Sequence, residues 1–183
     1  AGYADIRNKA LVRFCPVCDG FEFTNERIGV LGSGHHGARE CAFIKHFSNQ
    51  VTYLSVDDSI ATGVVTDDLR ALNIAVLDAR QARLEYNETT HAIALTLGDS
   101  TTHAFDVLYC ALGCRVRSTL ATALGARHDE QQGLLVDNHL ETTVKGLFAA
   151  GDVVSSLHQL AVATGQAATA ATAIHNRLRD TKR

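Results

Sequence analysis

The stretch IGVLGSGHHG, residues 28–37, predicts a buried strand that turns directly into a helix. Its apolar first half is typical of a strand in a parallel sheet, and glycines follow at three positions. Glycines at this spacing permit a tight turn and let a pyrophosphate approach the free N–H groups of a helix N-terminus. The sequence therefore predicts a dinucleotide-binding turn formed by Gly32, Gly34, His35, His36 and Gly37. The alternative is a glycine-rich strand–helix turn without a ligand.

The flanking residues extend this unit into an α/β fold. Residues 51–54 predict a second strand, so that 28–55 form a strand–helix–strand crossover of the length that parallel strands require. Two more buried strands are predicted at 74–77 and 107–112, and an antiparallel meander of three strands at 82–105. We expect a parallel sheet with helices on its faces and the meander beside it.

The pattern changes after Gly113. Four elements are predicted there, namely a helix at 118–124, short strands at 134–136 and 147–150, and an alanine-rich helix at 157–179. We therefore predict two domains, a Rossmann-like nucleotide-binding domain at 1–112 and a second region at 113–183.

The end of the second strand should carry the residue that contacts the ribose of a bound dinucleotide. Asp57 stands there, and a carboxylate accepts hydrogen bonds from a ribose 2′-hydroxyl but repels a 2′-phosphate. No arginine lies between Arg39 and Arg70. The sequence therefore favours NADH over NADPH, with a solvated acidic loop as the alternative.

The chain has five cysteines, and two of them form the motif Cys15-Pro16-Val17-Cys18-Asp19. Cysteines at this spacing can form a reversible disulfide, and Asp19 is placed to move a proton to or from a thiol. Zinc binding is an alternative, but it needs two further ligands and no second Cys-x-x-Cys exists. Inert thiols are the third alternative. We predict redox chemistry, with no resident metal.

Composition excludes several classes of protein. The 183 residues carry a net charge of −3, which argues against a nucleic-acid partner or an anionic membrane surface. No apolar run reaches the length of a membrane span, so we expect no membrane partner. Redox cysteines without a visible secretory signal lead us to expect a cytoplasmic location.

Together, in their order along the chain, these motifs resemble the thioredoxin reductase family of FAD-dependent pyridine nucleotide-disulfide oxidoreductases. CPVCDGF at 15–21 looks like the redox-active segment, and the turn at 32–37 follows at the distance of the nicotinamide nucleotide fingerprint. GLFAAGDV at 146–153 and HQL at 158–160, with the helix after them, look like the second flavin-binding segment.

The resemblance implies a role for each position. Cys18 would be the thiol near the flavin, Cys15 the thiol that exchanges with a substrate disulfide, and Asp19 their acid–base partner. The flavin would be held by Gly151, Asp152, Gln159 and Leu160.

The implied activity passes electrons from a nicotinamide cofactor through FAD to the Cys15–Cys18 disulfide. The final acceptor would be a thioredoxin-like protein or a small-molecule disulfide, and the implied assembly is a homodimer. Val56 and Asp57 replace two basic residues of the family, which again favours NADH.

The family has an FAD-binding segment before its cysteine pair, so we expect this chain to be a piece of a longer protein, with 113–183 as the C-terminal part of an FAD-binding domain. The alternatives are a non-catalytic nucleotide-binding or redox-sensing module, and a dithiol oxidase that does not use NADPH.

Overall fold

The computed structural model describes residues 2–60, 63 and 66–180, and it divides the chain into two units, Ala1–Gly113 and Cys114–Arg183. The strands within the described residues are β1 (Val12–Arg13), β2 (Ile28–Gly32), β3 (Val51–Ser55), β4 (Ala75–Asp78), β5 (Arg83–Asn87), β6 (Ala92–Thr96), β7 (Thr102–Phe105) and β8 (Val107–Ala111). The helices there are α1 (Tyr3–Asn8), α2 (Pro16–Asp19), α3 (Gly34–Ile44), α4 (Thr66–Ala71), α5 (Thr119–Ala123) and α6 (Leu160–Asp180), and a 3₁₀ helix (Gly20–Phe23) follows α2.

The first unit contains a parallel sheet of five strands in the order β1-β8-β2-β3-β4. Gly32 at the end of β2 pairs with both Ser55 and Ala111, and Ser55 pairs with Asp78. The carboxyl ends of four strands therefore finish level, at the edge where ligands bind in open α/β folds. Strands β5, β6 and β7 form a separate antiparallel sheet. The predicted α/β class, with its meander, is confirmed.

Both faces of the parallel sheet are covered. Ile28, Val30 and Tyr53 pack with apolar residues of α3 in one buried cluster, while Leu31 and Leu54 pack with residues of α1 and the antiparallel sheet in another. Successive residues of a strand point to opposite faces, so the two clusters lie on the two sides of the sheet. Burial on both faces explains why these strands have almost continuous apolar sequences.

The second unit differs from the prediction in its strands. Leu134, Val136 and Phe148 each form isolated β-bridges, and 134–136 and 147–150 do not form ladders. A strand needs a neighbour that pairs with it over consecutive residues, and the described part of this unit supplies only single pairs. The predicted helices are present, although α6 begins three residues later than expected. No helix among the described residues has the length and apolarity needed to span a membrane.

Candidate functional site

The glycine turn is built by close packing. Gly34 opens α3 with a φ of +52°, a left-handed conformation that a residue with a side chain would adopt only under strain. A Cβ atom on Gly37 would lie 2.6 Å from the Cα of Gly32, so the first turn of α3 rests directly on the end of β2. These are the two backbone features that a pyrophosphate-binding turn requires.

Ser33 sits at the N-cap of α3 but does not cap the helix. Its hydroxyl donates instead to Asp57 Oδ2, at 2.7 Å. A capping serine normally satisfies a backbone N–H in the first turn. Because Ser33 is turned away, those N–H groups remain available to an anion. His35 and His36 follow in the same turn and are both exposed.

Asp57 links the turn to the end of β3. Its Oδ1 accepts hydrogen bonds from the backbone N–H of Ser59, at 3.0 Å, and from the Ser55 hydroxyl, at 3.1 Å. Hydrogen bonds from Ser59 and Ser33 hold the pKa of Asp57 well below its usual range. The structure thus brings a carboxylate that is charged at neutral pH beside the glycine turn.

Arg80, which the sequence reasoning missed, lies at the same edge of the sheet. Its Nε donates to both carboxylate oxygens of Asp78, at 2.9 and 3.1 Å, and its guanidinium also contacts Asp58. The segment that follows β3 contains no arginine before Arg70, so the local sequence does not point to Arg80. The pairing of Ser55 with Asp78 is what brings Arg80, from the segment after β4, to Asp58.

Cys15 and Cys18 are joined by a disulfide bond of 2.02 Å. Cys15 is the N-cap of the short helix α2, and both backbone N–H groups of Cys18 and Asp19 donate to its carbonyl oxygen. Cys18 is exposed and Cys15 is half-buried. Among the described residues, no group of three histidine, cysteine or acidic side chains is arranged to hold a metal ion.

Asp19 is held by residues from two strands. The buried Tyr109 hydroxyl of β8 donates to Asp19 Oδ1 at 2.6 Å, and Arg13 Nε of β1 lies 3.5 Å from Oδ2. Burial, together with this carboxylate, raises the pKa of Tyr109 well above its usual range. The carboxylate adjacent to Cys18 in sequence therefore has a fixed orientation. Nothing in the local sequence pattern distinguishes Tyr109 from an ordinary core residue.

The remaining cysteines differ in exposure. Cys41 is fully buried on α3, and this burial raises its pKa to about 12, which keeps the thiol protonated. Cys110, near the end of β8, is half-buried, and its Sγ lies 3.5 Å from the Tyr3 hydroxyl oxygen. Cys114 is exposed.

In the second unit, Gly151 and the start of α6 are linked. Gly151 has a φ of +81°, and its backbone N–H donates to Gln166 Oε1 on α6 at 2.7 Å. Asp152 is exposed beside it. Gln159 precedes α6 and is half-buried, and Leu160, the first residue of α6, is 84% exposed.

The sequence profile of the family described as pyridine nucleotide-disulphide oxidoreductase matches residues 5–168 of this chain. The F subunit of alkyl hydroperoxide reductase in Staphylococcus aureus strain MRSA252 is 27% identical over 177 residues. That match covers 93% of this chain and 34% of the relative. The chain thus spans about a third of the length of the curated relatives it matches.

Two solved structures show the same fold at low sequence identity. HlmI superposes with a TM-score of 0.80 at 23% identity, over 96% of this chain and 55% of that protein. Thioredoxin reductase from Streptococcus pyogenes MGAS5005 superposes with a TM-score of 0.71 at 21% identity, over 93% of this chain and 58% of that enzyme.

Proposed function

This chain belongs to the pyridine nucleotide-disulphide oxidoreductase family, and we propose that it carries the nucleotide-binding and dithiol–disulfide parts of a thioredoxin reductase-like flavoenzyme. One observation carries the proposal. A disulfide with an exposed cysteine, followed in sequence by an oriented carboxylate, lies in the same unit as a glycine turn whose backbone would suit a pyrophosphate.

The nucleotide would bind at the carboxyl ends of β2 and β3. Gly32, Gly34 and Gly37 would let its pyrophosphate reach the N–H groups of α3, and His35 and His36 would line this site. Asp57 would accept hydrogen bonds from the adenosine ribose, since its carboxylate is charged and tied to the turn. This charge supports NADH as the preferred nucleotide.

The second unit would hold part of the flavin site. Asp152 follows the left-handed Gly151 and is exposed, so its carboxylate can accept hydrogen bonds from hydroxyl groups. Gln159 and Leu160, at the start of α6, would flank the flavin ring. When bound, FAD would supply the electron transfer between nicotinamide and disulfide.

The reduced Cys15–Cys18 pair would pass two electrons to the final acceptor. Two electrons and two protons convert Cys15–Cys18 to a dithiol, and Asp19 would hold or release one of these protons. The Cys15 thiolate would attack a target disulfide, which releases one target thiol and forms a mixed disulfide. The Cys18 thiolate would then attack Cys15 Sγ, which releases the second target thiol and restores the Cys15–Cys18 bond.

The surroundings of the disulfide support a protein acceptor of the thioredoxin-like class, with small-molecule disulfides as further substrates. Phe14, Val17 and Phe21 are 61%, 71% and 82% exposed, and each lies within three residues of one of the two cysteines. Exposed apolar side chains in such a segment are typical of a surface that contacts another protein. A homodimer is the assembly we propose for the whole enzyme.

Trapping of a mixed disulfide tests this function on the chain itself. The exposed Cys114 is first replaced by serine, so that it cannot react, and Cys18→Ser and Cys15→Ser are then added separately. After reduction, each variant is mixed with an oxidised thioredoxin-like protein and analysed by intact mass. We expect Cys18→Ser to form a stable adduct through Cys15, and Cys15→Ser to form much less.

An adduct only at Cys18 would reverse the roles of the two cysteines. The absence of any adduct in both variants would contradict the proposed dithiol chemistry. In the intact flavoenzyme, Cys18→Ser should abolish disulfide reduction and leave any direct oxidase activity of the flavin in place.

A further inference from the structure

Arg80 lies at the same edge of the parallel sheet as the proposed nucleotide site. It follows β4, which is paired in register with β3, and it contacts Asp58, the residue next to Asp57. Asp57 in turn bonds Ser33 of the glycine turn. Three successive strand ends therefore place the turn, Asp57 and Arg80 in one row along the edge of the sheet.

All three nitrogens of the Arg80 guanidinium are engaged by carboxylates. Nε and Nη2 donate to Asp78, the latter at 2.5 Å, and Nη1 donates to Asp58. These contacts, with that of Asp78 foremost, raise the pKa of Arg80 and hold the pKa of Asp78 down to about 2. The side chain is therefore charged at any physiological pH, but one N–H on each of its three nitrogens already donates to a carboxylate.

The cluster has an excess of negative charge. The carboxylates of Asp57, Asp58 and Asp78 contribute −3 and Arg80 contributes +1, which leaves −2 at this edge. To bind Arg80 through two parallel hydrogen bonds, a 2′-phosphate would compete with these carboxylates and would also meet their like charge. A free guanidinium, in contrast, is the side chain that binds phosphate best, since its planar donors fit two phosphate oxygens.

We propose that Arg80 could bind a 2′-phosphate but that Asp58 and Asp78 hold its guanidinium and prevent this. This pair of carboxylates would then set the preference for the unphosphorylated nucleotide. The inference rests on the proposed nucleotide site, and it assigns specificity to residues on β4 and the loop after β3. Removing the two carboxylates, without adding any new cation, should release Arg80 to bind phosphate.

Nucleotide binding to the whole chain tests this inference by titration calorimetry, with NADH, ADP and adenosine 2′,5′-bisphosphate as ligands. The test variant is Asp58→Asn/Asp78→Asn, and the second variant adds Arg80→Gln. The matched control is Asp67→Asn/Glu85→Gln, which removes two exposed carboxylates that pair with other arginines and so changes the net charge equally. Circular dichroism verifies that each variant is folded.

We expect the natural chain to bind NADH and ADP, and to bind the 2′-phosphorylated ligand at least about tenfold more weakly than ADP. Asp58→Asn/Asp78→Asn should raise affinity for the 2′-phosphorylated ligand about tenfold or more, and Arg80→Gln should cancel the gain. The control should show no such gain.

A gain that survives Arg80→Gln, or an equal gain in the control, would overturn the assignment of Arg80 and leave the nucleotide site itself intact. NADH binding without any gain in the test variant would do the same. A natural chain that binds none of the three ligands would overturn the proposed nucleotide site, and this inference with it.

Discussion

The glycine turn and the disulfide segment lie in the same unit, but they are constructed differently. Gly32 and Gly37 of the turn are buried between β2 and α3, where backbone meets backbone. The disulfide segment, residues 14–21, places most of its apolar side chains in solvent. Close packing therefore determines which residues the turn can contain. In the disulfide segment, the residues are determined by the reaction we propose for them. Substitutions should accordingly change stability strongly in the turn and weakly in the disulfide segment.

Gly37→Ala should have the largest effect. Its Cβ would lie 2.6 Å from backbone that cannot move without shifting β2, so we expect the free energy of unfolding to fall by about 3 kcal/mol. NADH binding should be lost as the turn opens. Urea unfolding and calorimetry measure the two effects.

Gly165→Ala is the control, because this glycine is exposed within α6 and a Cβ there meets nothing within 4 Å. It should stabilise the chain by about 0.5–1 kcal/mol. Equal effects of the two substitutions would remove the contrast between a packed and an open glycine.

Tyr109→Phe should have an intermediate effect, because it reaches from the core to the disulfide segment. Loss of the hydrogen bond to Asp19 should lower the free energy of unfolding by about 1–2 kcal/mol at neutral pH. The substitution should also alter the pH dependence of the reaction between the reduced Cys15–Cys18 pair and a chromogenic disulfide. An unchanged pH profile would mean that the orientation of Asp19 does not matter to the thiols.

The same tyrosine contributes to loss of stability in alkali. Burial raises the pKa of Tyr109 and that of Tyr53, the latter to about 12, whereas an unfolded tyrosine ionises near pH 10. Above pH 10 the unfolded chain loses protons that the folded chain retains, so stability should fall as pH rises from there. Tyr109→Phe should make this fall less steep in urea unfolding at successive pH values. A slope identical to that of the natural chain would contradict the account.

Phe21→Ser should have the smallest effect on stability. The side chain is 82% exposed, so the free energy of unfolding should change by less than about 0.5 kcal/mol. Formation of the mixed disulfide with a thioredoxin-like protein should slow several-fold, while reaction with a small chromogenic disulfide should keep its rate. If both rates stay the same, Phe21 takes no part in contacting the acceptor.

The sequence predicted the first unit well because its signals are local. Strands buried on both faces have continuous apolar runs, and the glycines of the turn stand within six residues of one another. Arg80 and Tyr109 were missed because their partners are 22 and 90 residues away along the chain. Only the pairing of strands brings them together, and strand order is not encoded in any local pattern. The prediction of two strands in the second unit was wrong for a related reason. An apolar run does not reveal whether a neighbouring segment is present to pair with it.

The two-residue strand β1 has a consequence for how other proteins can approach. It is one of the two outer strands of the parallel sheet, and Pro16, which has no backbone N–H, follows three residues after it. A long outer strand would offer a row of unpaired backbone groups and could template aggregation, but two residues offer almost none. Because this short strand leads directly to Cys15, extension of the sheet would give a partner few hydrogen bonds there, and we expect binding through side chains. The reactive disulfide thus follows an edge strand that is too short to template fibril growth.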